Sequence, residues 1–222
     1  RHEFFIFNKL SISLGVDVWF SLQDITSIVK AKYQLVYCHC PIPFYQLNLK
    51  DIYFEPSSLL RNLFYNTIYR LNILRNDSIV VQQEWLRKKF REMTGHKNII
   101  VAKPIIKRQV YLSDKVKSKK KYIFIYPTLA RFHKNIELLC EAVKLIDRNK
   151  YSEFEVKITI NGRENRYARY IRKEYSNIRE INFIGLQSRF KMNELYKEAN
   201  ALIFPSKLET WGLPISEAIN YK

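Results

Sequence analysis

The feature that most constrains this chain is the order of its C-terminal half, where short β-branched and aromatic runs alternate with amphipathic stretches. A strand, a helix and a further strand bring the chain back in the same direction, so this repeat predicts a parallel sheet covered by helices. Residues 122–126 predict a strand, and 135–147 a helix that buries Ile136, Leu139, Val143 and Ile146 at helical spacing. The pattern continues with a strand over 156–160, a turn at Asn161-Gly162 and a very polar helix over 164–175. It then gives a strand over 181–184, a helix over 192–199 with Leu195, Tyr196 and Ala199 inward, a strand over 201–204, and a last helix starting near Pro214.

The N-terminal half carries its own strand candidates at 3–7, 16–21, 35–38, 78–81 and 99–102, which predict a second sheet domain. A helix is expected over 84–93. An amphipathic region over 57–74 sets Leu59, Leu60, Leu63, Phe64, Ile68, Leu71 and Leu74 on one face, and such stripes ordinarily form core. Residues 103–121 are basic, aperiodic and include Lys119-Lys120-Lys121, which suits a connection between domains. The expected fold class is therefore α/β, with one sheet domain over 1–108 and another over 109–222.

Composition narrows the function classes. With 222 residues, 47% hydrophobic and only five glycines, the chain can bury a core and is neither disordered nor fibrous. Thirty-eight Lys and Arg against 21 Asp and Glu leave a net charge of +17. That field attracts phosphorylated ligands, anionic lipids or nucleic acid without choosing among them, and part of it is a solvated surface. Cys38, Cys40 and Cys140 are too few and too irregular for a disulfide scaffold, which points to reduced thiols. Cys38-His39-Cys40 has the elements of a metal site, but alternate strand residues face opposite ways and no second ligand pair follows, so no metal is expected. No apolar run approaches the roughly 20 residues of a membrane span, and the expected location is cytoplasmic.

Parallel sheets bind ligands at the carboxyl ends of their strands. In the C-terminal half the loops there contain Arg131 and Lys134, then Asn161-Gly162-Arg163, then Gly185, then Pro205-Ser206 running into Glu209-Thr-Trp-Gly-Leu-Pro-Ile-Ser-Glu217. This constellation resembles the family-4 retaining glycosyltransferases, whose signature is two glutamates separated by seven residues. Glu209 and Glu217 stand at that spacing here, with Gly212, Leu213 and Pro214 between them. The resemblance implies a GT-B fold of two Rossmann-like domains facing each other, both incomplete at the chain ends of this sequence.

It also implies roles. Glu209 would hold hydroxyls of the transferred sugar and Glu217 those of the ribose, because ionised carboxylates are pure acceptors. A solvent-facing helix residue is the alternative for Glu217. Transfer from a nucleoside diphosphate leaves charge that must be stabilised where it develops. No Asp-x-Asp metal motif is present, so Arg131 and Lys134, with backbone N–H groups at the start of the helix near Pro214, would take that part. For this cation pair the alternative is a solvated helix entrance. Gly162, Gly185, Gly212, Leu213 and Pro214 would line the donor site.

In the N-terminal half, Ser21-Leu22-Gln23-Asp24 and residues 36–44 resemble the acceptor-side domain of the same family. By that resemblance His39 contacts the donor sugar or positions the acceptor, with a core histidine as the alternative. Asp24 is a candidate for acceptor contact. The expected partners are a nucleotide-sugar donor and a glycan or lipid-linked acceptor, as in bacterial surface polysaccharide synthesis, with no cofactor and no nucleic acid. An anionic membrane surface at the cytoplasmic face is a further candidate partner. Two other readings compete: a basic nucleic-acid-binding protein, though no recognised binding signature accompanies the charge, and a non-catalytic membrane-surface protein using 57–74.

Overall fold

Each half of the chain builds one parallel sheet. The structure is a computed structural model that describes residues 2–105, 121–147 and 153–221. It divides into a first unit of Arg1–Asn48, Pro56–Ile105 and Glu209–Trp211, and a second of Leu49–Glu55, Ile106–Leu208 and Gly212–Lys222. Most of the expected basic connection, 106–120, lies outside the described residues.

In the first unit, β1 (Val18–Ser21), β2 (Tyr33–Tyr37), β3 (Ser78–Val81) and β4 (Ile99–Val101) pair in parallel in the order β1-β2-β3-β4. All four β3 residues are buried, as expected of an interior strand covered on both faces. Val36, Ile79, Val81, Leu86, Phe90 and Tyr69 form the core. The expected strand at 3–7 is instead a π-helical turn, His2–Ile6, running into α1 (Phe7–Leu14). A consecutive apolar run fits either period. Gly15, with φ 57°, donates its N–H to the Ile12 carbonyl and closes a helix.

Two helices between β2 and β3 depart from expectation. The short α2 (Leu49–Phe54) falls within the expected first domain, yet it groups with the second unit and places Phe54 in that unit's core. The next helix, α3 (Ser57–Ile68), stays with the first unit, but its leucine stripe is not core. Leu60 is 70% exposed and Leu74 72%, and Leu59, Leu63, Phe64 and Leu71 are exposed as well. The phenol-bearing side packs inward instead: Tyr69, fully buried, lies 4.8 Å from the Phe90 ring and 5.6 Å from Tyr65. The Tyr69 hydroxyl finds hydrogen-bond partners inside, which makes burial of this polar group affordable. The helix α4 (Glu84–Thr94) buries Leu86 and Phe90 as its periodicity predicts.

In the second unit, β5 (Tyr122–Tyr126), β6 (Phe154–Ile158), β7 (Ile181–Phe183) and β8 (Ala201–Leu202) pair in parallel in the order β7-β6-β5-β8. The helices α5 (Ile136–Lys144) and α6 (Arg166–Tyr175) bury Ile136, Leu139, Val143, Ala168 and Ile171 in one cluster. Leu195, Tyr196 and Ala199 at α7 (Arg189–Glu198) join Ile125 in another. Alternate β5 side chains thus serve the two clusters, as pleating requires. The last element, α8 (Leu213–Ala218), follows Gly212. No described helix is long and apolar enough to cross a membrane.

Candidate functional site

In the order β7-β6-β5-β8 the chain winds outward from β5 in one direction and then places β8 on the other side of β5. The loops leaving β5 and β8 therefore diverge at the switch point of the sheet, where ligands of open α/β folds bind. Arg131 and Lys134 come from the first of these loops, and the 205–217 segment follows the second.

Hydrogen bonds join the two loops. Lys207 N–H donates to the His133 carbonyl at 2.8 Å, Asn135 Nδ2 to the Pro205 carbonyl at 3.2 Å, and Ser206 Oγ to the His133 carbonyl at 3.3 Å. The β5 loop is tied to its other neighbours as well. Thr159 Oγ1 accepts from Thr128 N–H at 2.7 Å and donates to the Thr128 carbonyl at 2.8 Å, while Asn165 Nδ2 donates to the Ala130 carbonyl at 2.6 Å. The turn Phe132–Lys134 is a single 3-10 turn whose last carbonyl accepts from the buried Tyr126 hydroxyl at 2.5 Å. A loop held on three sides keeps its cations in place without a long helix behind them.

Lys134 Nζ lies 5.9 Å from the Phe204 ring centroid. The same ring faces Gly212: a β carbon there would stand 3.6 Å from Phe204 and 3.3 Å from Ile215, at a φ of 80°. Gly212 is thus set by left-handed backbone, and Phe204 brings Lys134 and the approach to α8 together. Leu213 is exposed and Pro214 half-buried in the first turn of α8. The expected donors at this helix start are fewer than the sequence suggested. Pro214 has no N–H, the Ile215 and Ser216 N–H groups already donate to the Gly212 carbonyl, and α8 is only six residues long.

Arg131 forms an ion pair with Glu55, which immediately follows α2. The segment carrying Glu55 is held firmly. The Arg166 guanidinium lies 3.6 Å from the Tyr53 ring centroid and donates to the Tyr53 carbonyl at 3.0 Å, and Lys50 Nζ lies 3.8 Å from Glu137. Nothing in the spacing of residues 49–55 and 131–166 announces this contact.

Glu217 is bound on α7: it accepts from Arg189, and from the Tyr196 hydroxyl at 3.0 Å. Burial, reinforced by the Glu217 charge, pushes the Tyr196 phenol well up, and the bond to Glu217 raises Arg189 further. Glu217 is therefore not simply a solvent-facing helix residue. Sequence reasoning missed Arg189 and Tyr196, although their i, i+7 spacing puts both on one face of α7.

Gly162 has a structural reason of its own. At φ 93°, a β carbon would sit 2.6 Å from the β carbon of Arg172. The Asn161 and Gly162 N–H groups donate to the Glu164 carboxylate at 2.6 and 2.9 Å, so a carboxylate of the chain occupies this pair of backbone donors. Gly185, φ 73°, donates its N–H to the Ile160 carbonyl at 3.1 Å. Glu209 is half-buried on the connecting loop and groups with the first unit.

In the first unit, His39 follows β2 with its side chain 47% exposed, which removes the core-histidine alternative. Asp24 is buried, 3% exposed, rather than displayed for acceptor contact. Burial, then the Asp24 charge, pushes the Cys38 thiol well up, and Cys40 is raised chiefly by burial, so both remain protonated thiols at neutral pH. Among the described residues no group of three or more His, Cys, Asp and Glu is arranged around a common metal position.

Comparison with solved structures gives the fold a context. Over 96% of this chain and 56% of its own, sucrose-phosphate synthase from Thermosynechococcus elongatus superposes with a TM-score of 0.66 at 14% identity. WaaG, a glycosyltransferase involved in lipopolysaccharide biosynthesis, gives 0.65 at 11% identity over 96% of this chain and 59% of its own. The pneumococcal O-GlcNAc transferase GtfA, solved with UDP and GlcNAc, gives 0.62 at 15% identity over 96% and 42%. The chain thus spans about two fifths to three fifths of the length of these proteins. At such identities the likeness shows the fold, two parallel α/β units of the GT-B kind. Among curated proteins, none matches by sequence. Residues 90–222, more than half of the chain, match the family described as glycosyl transferases group 1, and the chain belongs to that family.

Proposed function

We propose that this chain forms the nucleotide-sugar-binding part, and some of the acceptor side, of a retaining family-4 glycosyltransferase. The observation that carries this reading is the joining of the Arg131–Lys134 turn to the loop after β8 at the switch point of the second sheet. In this reading Lys134 and Arg131 neutralise the charge that develops on the departing nucleoside diphosphate, in place of a metal ion. Arg131 can do so only by exchanging Glu55 for the diphosphate. Glu217, already oriented by Tyr196 and Arg189, accepts from ribose hydroxyls, and Glu209 from hydroxyls of the transferred sugar. The leaving phosphate takes the acceptor proton on the same face, so no pair of protein carboxylates is required. The acceptor is a glycan or lipid-linked sugar of a bacterial surface polysaccharide, and the reaction takes place at the cytoplasmic side.

A thermal-shift panel of UDP-, GDP- and dTDP-sugars tests the reading. A ligand that binds only the folded state, at about 100 times its dissociation constant, stabilises it by about 2.7 kcal/mol. One nucleotide class is expected to raise the melting temperature of the wild type, and Lys134→Ala and Glu217→Ala should each abolish the shift while keeping the ligand-free melting temperature near its original value. Equal shifts in wild type and both variants would remove the site assignment. Because relatives include a UDP complex, the uridine nucleotides are the first to try.

A specific observation supports a membrane contact beside catalysis. The exposed leucine stripe of α3 lies next to Arg70 and Arg75 on a chain of net charge +17, a combination suited to an anionic lipid surface.

A further inference from the structure

Asp24 combines two costs. It is a buried carboxylate, and it holds φ 63°, a left-handed conformation that non-glycine residues rarely adopt. What offsets them is a concentrated set of donors. A single oxygen, Oδ1, accepts from His39 N–H at 2.6 Å, from Cys40 N–H at 3.2 Å and from the Tyr69 hydroxyl at 2.6 Å. Tyr69 is itself fully buried and accepts from Cys40 N–H at 3.0 Å. The Asp24 N–H donates to the Tyr37 carbonyl at 3.2 Å, so the loop after β1 is stitched to the end of β2.

One of the residues that meet at this buried carboxylate is exposed. His39 Nδ1 lies 3.3 Å from the same Oδ1, and the imidazole stacks on Tyr37 with centroids 5.8 Å apart and planes 24° apart. The His39 backbone donates to this carboxylate, and its ring lies against the same oxygen. An ionised carboxylate only accepts, so it favours the proton on the nitrogen that faces it. That leaves Nε2 as a bare acceptor, in the way an outer carboxylate sets the tautomer of a ligating histidine.

We infer that Asp24 is the positioning residue of His39: it holds the neutral ring as the Nδ1–H tautomer, so that Nε2 accepts a hydrogen bond from a hydroxyl group of the substrate. The identity of that hydroxyl as a sugar hydroxyl rests on the glycosyltransferase reading; the tautomer does not. Asp24 acts through His39 and has no contact with substrate of its own.

The test is a long-range proton–nitrogen correlation spectrum of the full chain labelled with nitrogen-15 histidine, recorded with the ring in its neutral form. The chain has four histidines, and His39→Gln identifies the signal. In the wild type His39 is expected as Nδ1–H. In Asp24→Asn the amide retains an acceptor for the loop and loses the charge, and its NH2 can donate to the ring. The population is then expected to move from predominantly Nδ1–H to predominantly Nε2–H. Tyr69→Phe removes a donor and keeps the carboxylate, and should leave the tautomer unchanged. A wild-type ring found as Nε2–H, or an Asp24→Asn ring still predominantly Nδ1–H, overturns the inference. The wild-type spectrum decides even if Asp24→Asn does not fold. Absence of any nucleotide-sugar binding alongside an Nδ1–H ring would remove the proposed function and leave this positioning role standing.

Discussion

α2 and α3 follow each other in the chain and teach opposite lessons about amphipathic sequence. The first is six residues long with little periodicity, yet Phe54 sits in the core of the second unit, with its ring 4.8 Å from Tyr170 and 5.5 Å from Tyr167. The second is twelve residues long with a clear apolar stripe, and that stripe faces outward. Periodicity says that a helix has two faces; the polar groups that must find partners decide which of them turns inward. In α3 the deciding group is the Tyr69 hydroxyl just beyond its end, which reaches Asp24 in the interior.

The contrast can be broken by substitution. Phe54→Ala should cost about 3–5 kcal/mol of second-unit stability, by loss of burial and creation of a cavity. Calorimetry that shows a loss below about 1 kcal/mol would mean that α2 is not anchored there. The inward face of α3 can be probed next by alkali. Burial, with nearby Cys40 and Asp24, pushes the Tyr65 phenol up to about 12. The folded state therefore binds this proton more tightly than the unfolded chain, whose tyrosines titrate near 10. The stabilisation is complete below about pH 10 and is lost as pH rises toward 12, so first-unit unfolding should begin in that window and shift to higher pH in Tyr65→Phe.

Smaller effects sharpen the comparison. Glu55→Gln removes a partly exposed ion pair and should cost only about 0.2–1 kcal/mol. It should also strengthen binding of inorganic pyrophosphate or UDP, measured by calorimetric titration, since Arg131 no longer has to exchange a carboxylate. Weaker binding in Glu55→Gln would show that Glu55 aids the site rather than competes with the ligand. The smallest stability change is expected for Leu60→Ser with Leu63→Ser, within about 0.5 kcal/mol, because neither side chain is buried. The same pair should reduce co-sedimentation with phosphatidylglycerol vesicles at low salt. Undiminished binding would remove the stripe as a lipid contact.

The strand-and-helix order of residues 122–199 was legible because α5 and α7 carry apolar residues at helical spacing and β5, β6 and β7 are compact runs rich in β-branched and aromatic residues. Ile136, Leu139, Val143, Leu195, Tyr196 and Ala199 are buried as that spacing predicts, whereas Ile146 lies beyond the end of α5 and is only half-buried. The segment at 3–7 was misread because consecutive phenylalanines and isoleucine carry no period, and Gly15 lies too far downstream to enter a five-residue window. In the candidate site, Arg131, Lys134 and the 205–217 segment were recognisable as loops at the carboxyl ends of strands. Glu55, Arg189, Tyr196 and the linkage of Asp24 to His39 were not.

The sequence by itself determined the parallel strand-and-helix order of the C-terminal half, the presence of a second sheet in the N-terminal half, and the residue types on the loops that end the strands, since those follow from local periodicity and short motifs. Only the tertiary structure decided which charge meets which: Glu55 is 76 residues from Arg131, Glu217 is 28 from Arg189, and Asp24 is 15 from His39. Such pairings are set by where packed strands and helices bring distant segments together, and no window of neighbouring residues contains that information.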